Sequence, residues 1–517
     1  MTSLKHKTIS GIKWTMAASV AQRILSFGTT VVLARILSPA DFGLFALAFV
    51  MIDGFGIFKS LGFDSALVRR KDVDIERACN TAFFLIPAMG MILFVILFFF
   101  APIGAKFLNN PEVAPIIRTL AIVFVISTFG KVPQTILYRD MKFKYKTIAE
   151  ISGVIVYSAV ALILALNKFG VWSLVVAYIL RNLTQISMEW NFSGWKPRLF
   201  RIEKIFSTQI NANQTQINAN NSRSSTFRKL FPYEISFEFD KSIAWDMFHF
   251  GKYVLAGGII GFLSGNLDNI IAGKFLGVTM LGYYAISYNI ANFLCDYLLG
   301  RVGFILYPAY SKIYEDADEV KRVMFRSLKY VSMLVFPFTL GVFLFAPDIL
   351  RIVFGLKWLP ATNILRILCF VGLFRCLNTA IWPVFLAKGQ SRIDFQVSAA
   401  QAGFSLILMI PLAIKFSLIG VGVAVLLSNL VSFLISIMRI KSMAQVRISH
   451  YFKSLRMAII ASFFMVTITL LFRYLISIKI ISCNFIILAI LSLIVYLLVV
   501  FLMDRSIIRE IKEIFYE

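Results

Sequence analysis

The sequence predicts an all-α polytopic membrane protein of about fourteen transmembrane helices, built as two six-helix lobes in parallel repeat plus two C-terminal helices. Three observations predict it. Of the 517 residues, 59% are hydrophobic, 51 are Phe and only 15% are charged. A soluble chain of this length could not hide so much apolar surface. Apolar segments of about 20 residues recur along the whole chain, each long enough to cross a hydrocarbon core of about 30 Å as a helix. Finally, the stretch Ala34 to Ala46 (ARILSPADFGLFA) has a relative at Gly273 to Ala285 (GKFLGVTMLGYYA). A constant offset pairs Arg35 with Lys274, Leu37 with Leu276, Gly43 with Gly282, Phe45 with Tyr284 and Ala46 with Ala285. The same offset pairs Lys13-Trp14 with Lys252-Tyr253, and one residue of slippage later Leu61-Gly62 pairs with Leu299-Gly300.

In chain order, the first lobe occupies 1–190, with apolar runs at 14–34, 42–63, 80–105, 113–133, 147–167 and 171–190. The first run has no small-residue cleavage site and is expected to be retained. The hydrophilic connection 191–246 follows. It contains QINAN twice within Gln209 to Asn221, and so few core-forming residues that a disordered cytoplasmic linker is expected. Near its end, Tyr233 to Asp240 (YEISFEFD) alternates like a short strand or interfacial segment. The second lobe, 247–438, holds runs at 247–272, 281–304, 327–347, 361–387, 393–414 and 417–438. Two further runs, 455–476 and 482–503, lie in 439–517.

An even count puts both termini on one side. Loops on that side are rich in Lys and Arg, among them Arg69, Arg70, Lys71, Lys142, Lys144, Lys146, Lys321, Arg322 and Lys441, while opposite loops carry about one cation apiece. The bias places the termini in the cytoplasm. Lys13 and Lys252 then begin odd-numbered spans, so the two halves insert in the same orientation. Parallel repeats of that kind are related by an axis along the membrane normal, an arrangement found in transporters. The repeated loop falls on the outer rim, where Gly43 and Gly282 are expected to serve a tight start of the next span and Arg35 and Lys274 to be interfacial cations.

The net charge of +25 is explained by this loop bias and does not call for nucleic acid. The five Cys have no metal spacing, the three His sit near cytoplasmic boundaries, and no glycine-rich phosphate loop is present. The outer loops are too short for an external catalytic domain. No enzyme and no cofactor is expected.

Ionisable residues deep in spans are costly unless they face protein or water, and so mark candidate sites. Three cations lie near mid-span: Arg23, Arg181 and Arg375. Arg23 shares a polar stripe with Ser19, Ser26 and Thr30, at i, i+4, i+7 and i+11, expected to line a cavity or an interlobe seam. The alternative is a structural cation paired with a carboxylate such as Asp53. Arg366, nine residues from Arg375, is about half a turn out of phase with it and snorkels outward. Lys59, Lys131, Lys252 and Arg301 lie close to the cytoplasmic ends of their spans. The intramembrane carboxylates are Asp53, Asp268, Asp296 and Glu189. Asn289, Asn292 and Asp296 form a stripe that would face the cavity opposite Arg23, and Asp53 and Asp296 are the candidates for ion coupling. Gly257, Gly261 and Gly265 permit close helix packing. With cations deepest and carboxylates sparse, the cavity prefers an anionic cargo.

The motifs ARILSPADFGLFAL, GFDSALVRRKD with NTAFF after it, and FGVWSLVVAYI resemble the amino-terminal signature of polysaccharide-export flippases. FLGVTMLGYYAISYN and KWLPATNILRILCFVGLFR extend the resemblance into the second half. These flippases belong to the multidrug/oligosaccharidyl-lipid/polysaccharide (MOP) superfamily. The resemblance implies a MATE-like fold of two six-helix lobes around a central cavity, in the plasma (inner) membrane. It implies a cargo of polyprenyl-pyrophosphate-linked oligosaccharide moved to the outer leaflet, with membrane lipids, a polysaccharide polymerase and glycosyltransferases as partners. It also implies that cations on the first, second, seventh and eighth helices serve the pyrophosphate, for which Arg23, Lys59, Lys252 and Arg301 stand in place. From their depth in the spans, Arg23 with Arg181 or Arg375 is expected to hold the headgroup at the midplane. A multidrug or cation antiporter on the same fold is the alternative; it calls for a carboxylate-dominated cavity. A glycan polymerase or ligase would need a substantial outer loop.

Overall fold

The computed structural model describes residues 2–59, 63, 67, 75–197, 200–204, 233–237, 241–444, 447–477 and 485–504. The tract at 209–221 and the Leu61-Gly62 pair lie outside them.

The chain is a helical bundle. Helix α1 runs Thr2–Ile36 and α2 runs Pro39–Gly56. Their junction is set locally: Ser38 caps α2 through a reciprocal box with Asp41, and Pro39 occupies the first turn, where its missing N–H costs nothing. Then follow α3 (Ile75–Phe107), α4 (Val113–Phe129), α5 (Lys131–Arg139), α6 (Phe143–Leu166) and α7 (Val171–Ser193). The fourth predicted run thus ends at Phe129, and the chain continues as α5 after a 44° bend. The second half holds α8 (Lys241–Ile271), α9 (Val278–Ala291), α10 (Gly300–Ile313), α11 (Ala317–Ile349), α12 (Thr362–Asn378), α13 (Trp382–Ala387) and α14 (Ser391–Ala444), followed by α15 (Ile448–Ser477) and α16 (Phe485–Met503).

The expected linker is not bare coil where it is described. Phe200–Lys204 (β1) and Tyr233–Phe237 (β2) pair antiparallel, with Ile202 opposite Ile235. This agrees with the alternation seen from Tyr233 onward.

Among the described residues, eight helices are long and apolar enough to cross a membrane, or nine if the bent pair α4–α5 is one span. The helices α1 and α8, whose side chains are described only in part, and α7, which carries Arg181 at mid-span, are not among them. Ser391–Ala444 is counted once but is two helices: Ser417 breaks it at φ +54°. A Cβ on Gly420 would lie 1.8 Å from the Leu412 carbonyl oxygen. A straight helix holds residues eight apart at about 12 Å, so the chain reverses at Ser417. The bond from Gln401 to Asn429 across the pair, 3.3 Å, fits that reversal.

Packing within each half is α1 on α6, α3 on α4 and α6 on α7, then α9 on α12, α11 on α12 and α8 on α14. Helices α15 and α16 attach to α11 through Lys329–Asp504 at 2.7 Å and the pair Arg473–Asp348, and to each other through Thr469 bonded to Ser492 at 2.7 Å. Phe99, Ile163, Ile407 and Leu497 are among many large apolar side chains left exposed around the bundle. An exterior of that kind is stable against lipid. The chain is a multi-pass membrane protein.

The halves meet most closely where α2 crosses α9. A Cβ on Gly43 would lie 1.7 Å from the Val278 oxygen, and a Cβ on Gly282 would lie 1.9 Å from the Pro39 oxygen. Pro39 and Val278 are related by the same offset as Gly43 and Gly282, so the contact is reciprocal. This corrects the reading of these glycines as helix-start devices: they are the crossing point of the two repeats. The glycines of α8 also differ from expectation. Gly261 and Gly265 face open space, while Gly258 meets Ile57, with only 2.8 Å for a Cβ.

Candidate functional site

Four of the singled-out polar residues, Arg23, Asn292, Asp296 and Arg375, meet where α1, the end of α9 and α12 come together. The break in α9 prepares this junction: Asn292 ends the helix and Cys295–Leu299 continues as a π-helical turn, a distortion frequent at functional sites. Arg375, from α12, donates to Tyr288 Oη at 2.8 Å, to Asn292 Oδ1 at 2.6 Å and to Asp296 Oδ1 at 3.2 Å. Its guanidinium also lies 5.6 Å from the Tyr288 ring centre. Residues 288, 292 and 296 are four apart and stack on one helix face. Arg23 reaches across from α1 and donates to the main-chain oxygen of Asp296. Phe27, one turn along α1, packs edge-on against Phe293 at 5.1 Å. The Asp296 and Arg375 side chains keep 40% and 31% of their exposure, so the cluster is open to a solute.

The pairing of Arg23 with Asp53 does not occur. Asp53 instead accepts from Asn266 of α8 at 3.2 Å. The two sit in a cavity of about 520 Å³ between α2, α4, α7 and α8, lined also by Lys59, Lys131, Ser127, Tyr178 and Asn182. Gly258 and Gly261 form part of its wall. Lys131, read from the sequence as a cation close to the cytoplasmic end of its span, lines the same cavity as Lys59.

Arg181 is placed differently. Its side chain lies along α6, where a Cβ on Gly153 would be 3.3 Å from its Cγ. Gln185, one turn further along the same helix, bonds Glu189 at 2.9 Å, and Gln134 bonds the same carboxylate at 3.1 Å. Asp268 is buried and accepts from the Tyr284 hydroxyl at 2.5 Å. The hydroxyls of Ser26 and Thr30 turn back onto the carbonyls of their own helix. The side chains of Ser19, Lys252 and Arg301 lie outside the described ones.

At the end of the bundle read as outer, the halves are clasped by reciprocal caps. Arg35 donates to the Val353 oxygen at 2.9 Å and also to that of Ile352. In return Lys357 donates to the oxygens of Arg35, 3.0 Å, and Leu37, 2.5 Å, and Trp358 Nε1 to that of Ala34, 2.8 Å. Each segment thus satisfies carbonyls that a helix terminus leaves open. Trp358 is wholly buried between Phe42 and Tyr283. No periodicity marked it in advance, because its partners come from segments distant in sequence.

Several known proteins resemble the chain over most of its length. The lipopolysaccharide biosynthesis protein WzxC of Escherichia coli (strain K12) is 26% identical over 84% of this chain and 81% of its own. The teichuronic acid biosynthesis protein TuaB of Bacillus subtilis (strain 168) is 25% identical over 88% and 86%. The succinoglycan biosynthesis transport protein ExoT of Rhizobium meliloti (strain 1021) is 23% identical over 76% and 72%. Among solved structures, the lipid II flippase MurJ in an inward closed conformation superposes with a TM-score of 0.69. It is 14% identical and covers 96% of this chain and 99% of its own. A multidrug resistance MATE family transporter of the MOP superfamily, inward-facing, gives a TM-score of 0.54 at 16% identity, over 84% and 95%. The fold is therefore that of MurJ and MATE transporters. The profile of the polysaccharide biosynthesis protein family matches residues 32–215 and 217–363, more than half of the chain, and the protein belongs to that family.

Proposed function

We propose that the protein flips polyprenyl-pyrophosphate-linked oligosaccharides from the cytoplasmic to the outer leaflet by alternating access, with no covalent chemistry. The observation that carries this reading is the convergence of Arg23 and Arg375, from the two halves of the chain, on one residue open to solute. A pair of arginines suits the oxygens of a pyrophosphate, because guanidinium groups bind phosphate in fixed, multidentate geometry. The names of the relatives, which concern lipopolysaccharide, teichuronic acid and succinoglycan, agree with a glycan cargo.

In this reading fourteen helices form two six-helix lobes, 1–190 and 247–438, joined by the cytoplasmic linker 191–246. The last two helices stand apart in 439–517, and both termini are cytoplasmic. Lys59, with Lys252 and Arg301, gathers the headgroup at the cytoplasmic mouth, and Arg23 with Arg375 holds it deeper. Arg181 acts from behind α7, through its field. Asp53 is the candidate for ion coupling. An apolar groove of about 440 Å³ between α11, α15 and α16, lined by Met333, Pro337, Phe345, Met465 and Tyr496, suits the prenyl chain. A polysaccharide polymerase and glycosyltransferases are the proposed partners. Direct ATP use is unnecessary. Moving two negative charges outward across an inside-negative potential of 100 mV releases about 4–5 kcal/mol.

The test is deletion of the gene, followed by complementation with wild type or Arg23→Ala. Deletion is expected to trap oligosaccharide-lipid on the cytoplasmic face, and Arg23→Ala to restore less than a tenth of surface glycan when inserted at wild-type levels. Normal surface glycan in the deletion strain, with accumulation of cationic dye, would favour the multidrug exporter.

A further inference from the structure

The carboxylate at the centre of the arginine cluster has a role that the transport reading leaves open. Two guanidinium groups held near mid-span without a counter-anion are expensive in a region of low dielectric. The empty protein therefore needs an anion between them, and the structure contains one. Asp296 gives its carboxylate to Arg375 and its main-chain oxygen to Arg23.

The other contacts of Arg375 are neutral: Tyr288 and Asn292 are an oriented hydroxyl and amide on the same helix face as Asp296. The guanidinium would stay positioned if the carboxylate left. The Asp296–Arg375 contact, at 3.2 Å, is the longest of the three bonds that Arg375 makes on this face, and both side chains keep about a third of their exposure. The π-helical turn at Cys295–Leu299 leaves the helix ladder irregular at this point, so Asp296 can shift without breaking a regular turn.

From these observations we propose that Asp296 is an internal stand-in for the cargo phosphate. It occupies Arg375 in the empty protein, is displaced by the entering pyrophosphate, and recaptures the arginine to promote release. The proposal rests on the flippase reading of the same site. It makes Asp296 a determinant of affinity and turnover, because a ligand that must displace an internal competitor binds more weakly by the competitor's occupancy. It also links cargo to conformation, since the main-chain oxygen of Asp296 accepts from Arg23 of α1, so a shift of this residue is felt in the first half.

The test uses the full chain in lipid nanodiscs and geranylgeranyl pyrophosphate as the probe, titrated into wild type, Asp296→Asn, Asp296→Ser and Asp268→Asn. Both Asp296 variants are expected to bind about tenfold more tightly than wild type and to release the probe more slowly. Asp268→Asn, whose buried carboxylate accepts from Tyr284, is expected to gain less than twofold. In an Arg375→Ala background the gain from Asp296→Asn should vanish. Wild-type binding with unchanged or weaker binding by both Asp296 variants would overturn the stand-in role and leave the cargo reading intact. An equal gain from Asp268→Asn would also overturn it, by showing a general field effect. No binding by any folded variant would overturn both readings.

Discussion

Arg375 makes three bonds to three residues of one helix face, and only a planar, many-donor side chain can do so. Arg375→Lys keeps the charge but not the fork. It is expected to cut surface glycan at least tenfold while leaving the thermal unfolding midpoint within a few degrees of wild type. Matching export by the lysine variant would reduce Arg375 to a point charge. Trp358 offers the opposite case, a residue whose role is packing. Replacing this wholly buried side chain by Ala is expected to cost about 3–5 kcal/mol and to lower the unfolding midpoint in detergent. Polar residues inside apolar runs stand out in the sequence, which is why Arg23, Arg375, Asp296 and Asp53 were visible in advance. Asn292, a partner of Arg375, stood out with them, but two other partners did not. Asn266 and Tyr288 lie on helices whose facing is decided by tertiary packing, and no spacing within one span reports it.

At the scale of elements, the crossing of α2 on α9 is the tightest contact between the halves. Gly43 and Gly282 leave 1.7 and 1.9 Å between a Cβ and the opposing carbonyl oxygen, so any side chain must push the helices apart. Gly43→Ala and Gly282→Ala are each expected to lower the unfolding midpoint. They should do so by similar amounts, because each glycine meets the repeat partner of the other's neighbour. An unchanged midpoint in both variants would show that the crossing tolerates a Cβ. The repeat was legible as matched residues along the chain. That the matched segments touch each other was not, since an internal repeat does not say whether its copies face one another. The clasp of Arg35, Lys357 and Trp358 escaped for a related reason: its acceptors are main-chain oxygens, which have no signature in a sequence.

At the scale of the molecule, the helical membrane class followed from composition, and the solved structures share the MurJ and MATE fold. Among the described residues fewer spans are counted than the fourteen runs, because Ser391–Ala444 hides a reversal and the eighth run is broken into short helices at its π-helical turn. Two helices outside that count, α1 and α7, bring Arg23 and Arg181 into the bundle and make its interior polar. In the proposed function this polar interior carries a lipid-linked glycan across the membrane. The most direct measurement reconstitutes the purified chain into sealed vesicles. These hold a polyprenyl-pyrophosphate oligosaccharide, and a membrane-impermeant lectin then reads how fast the glycan changes leaflet. The account predicts transfer well above that of protein-free vesicles for wild type, and transfer near the protein-free rate for Arg375→Ala. A wild-type rate no faster than protein-free vesicles, from protein shown to be folded, would contradict it.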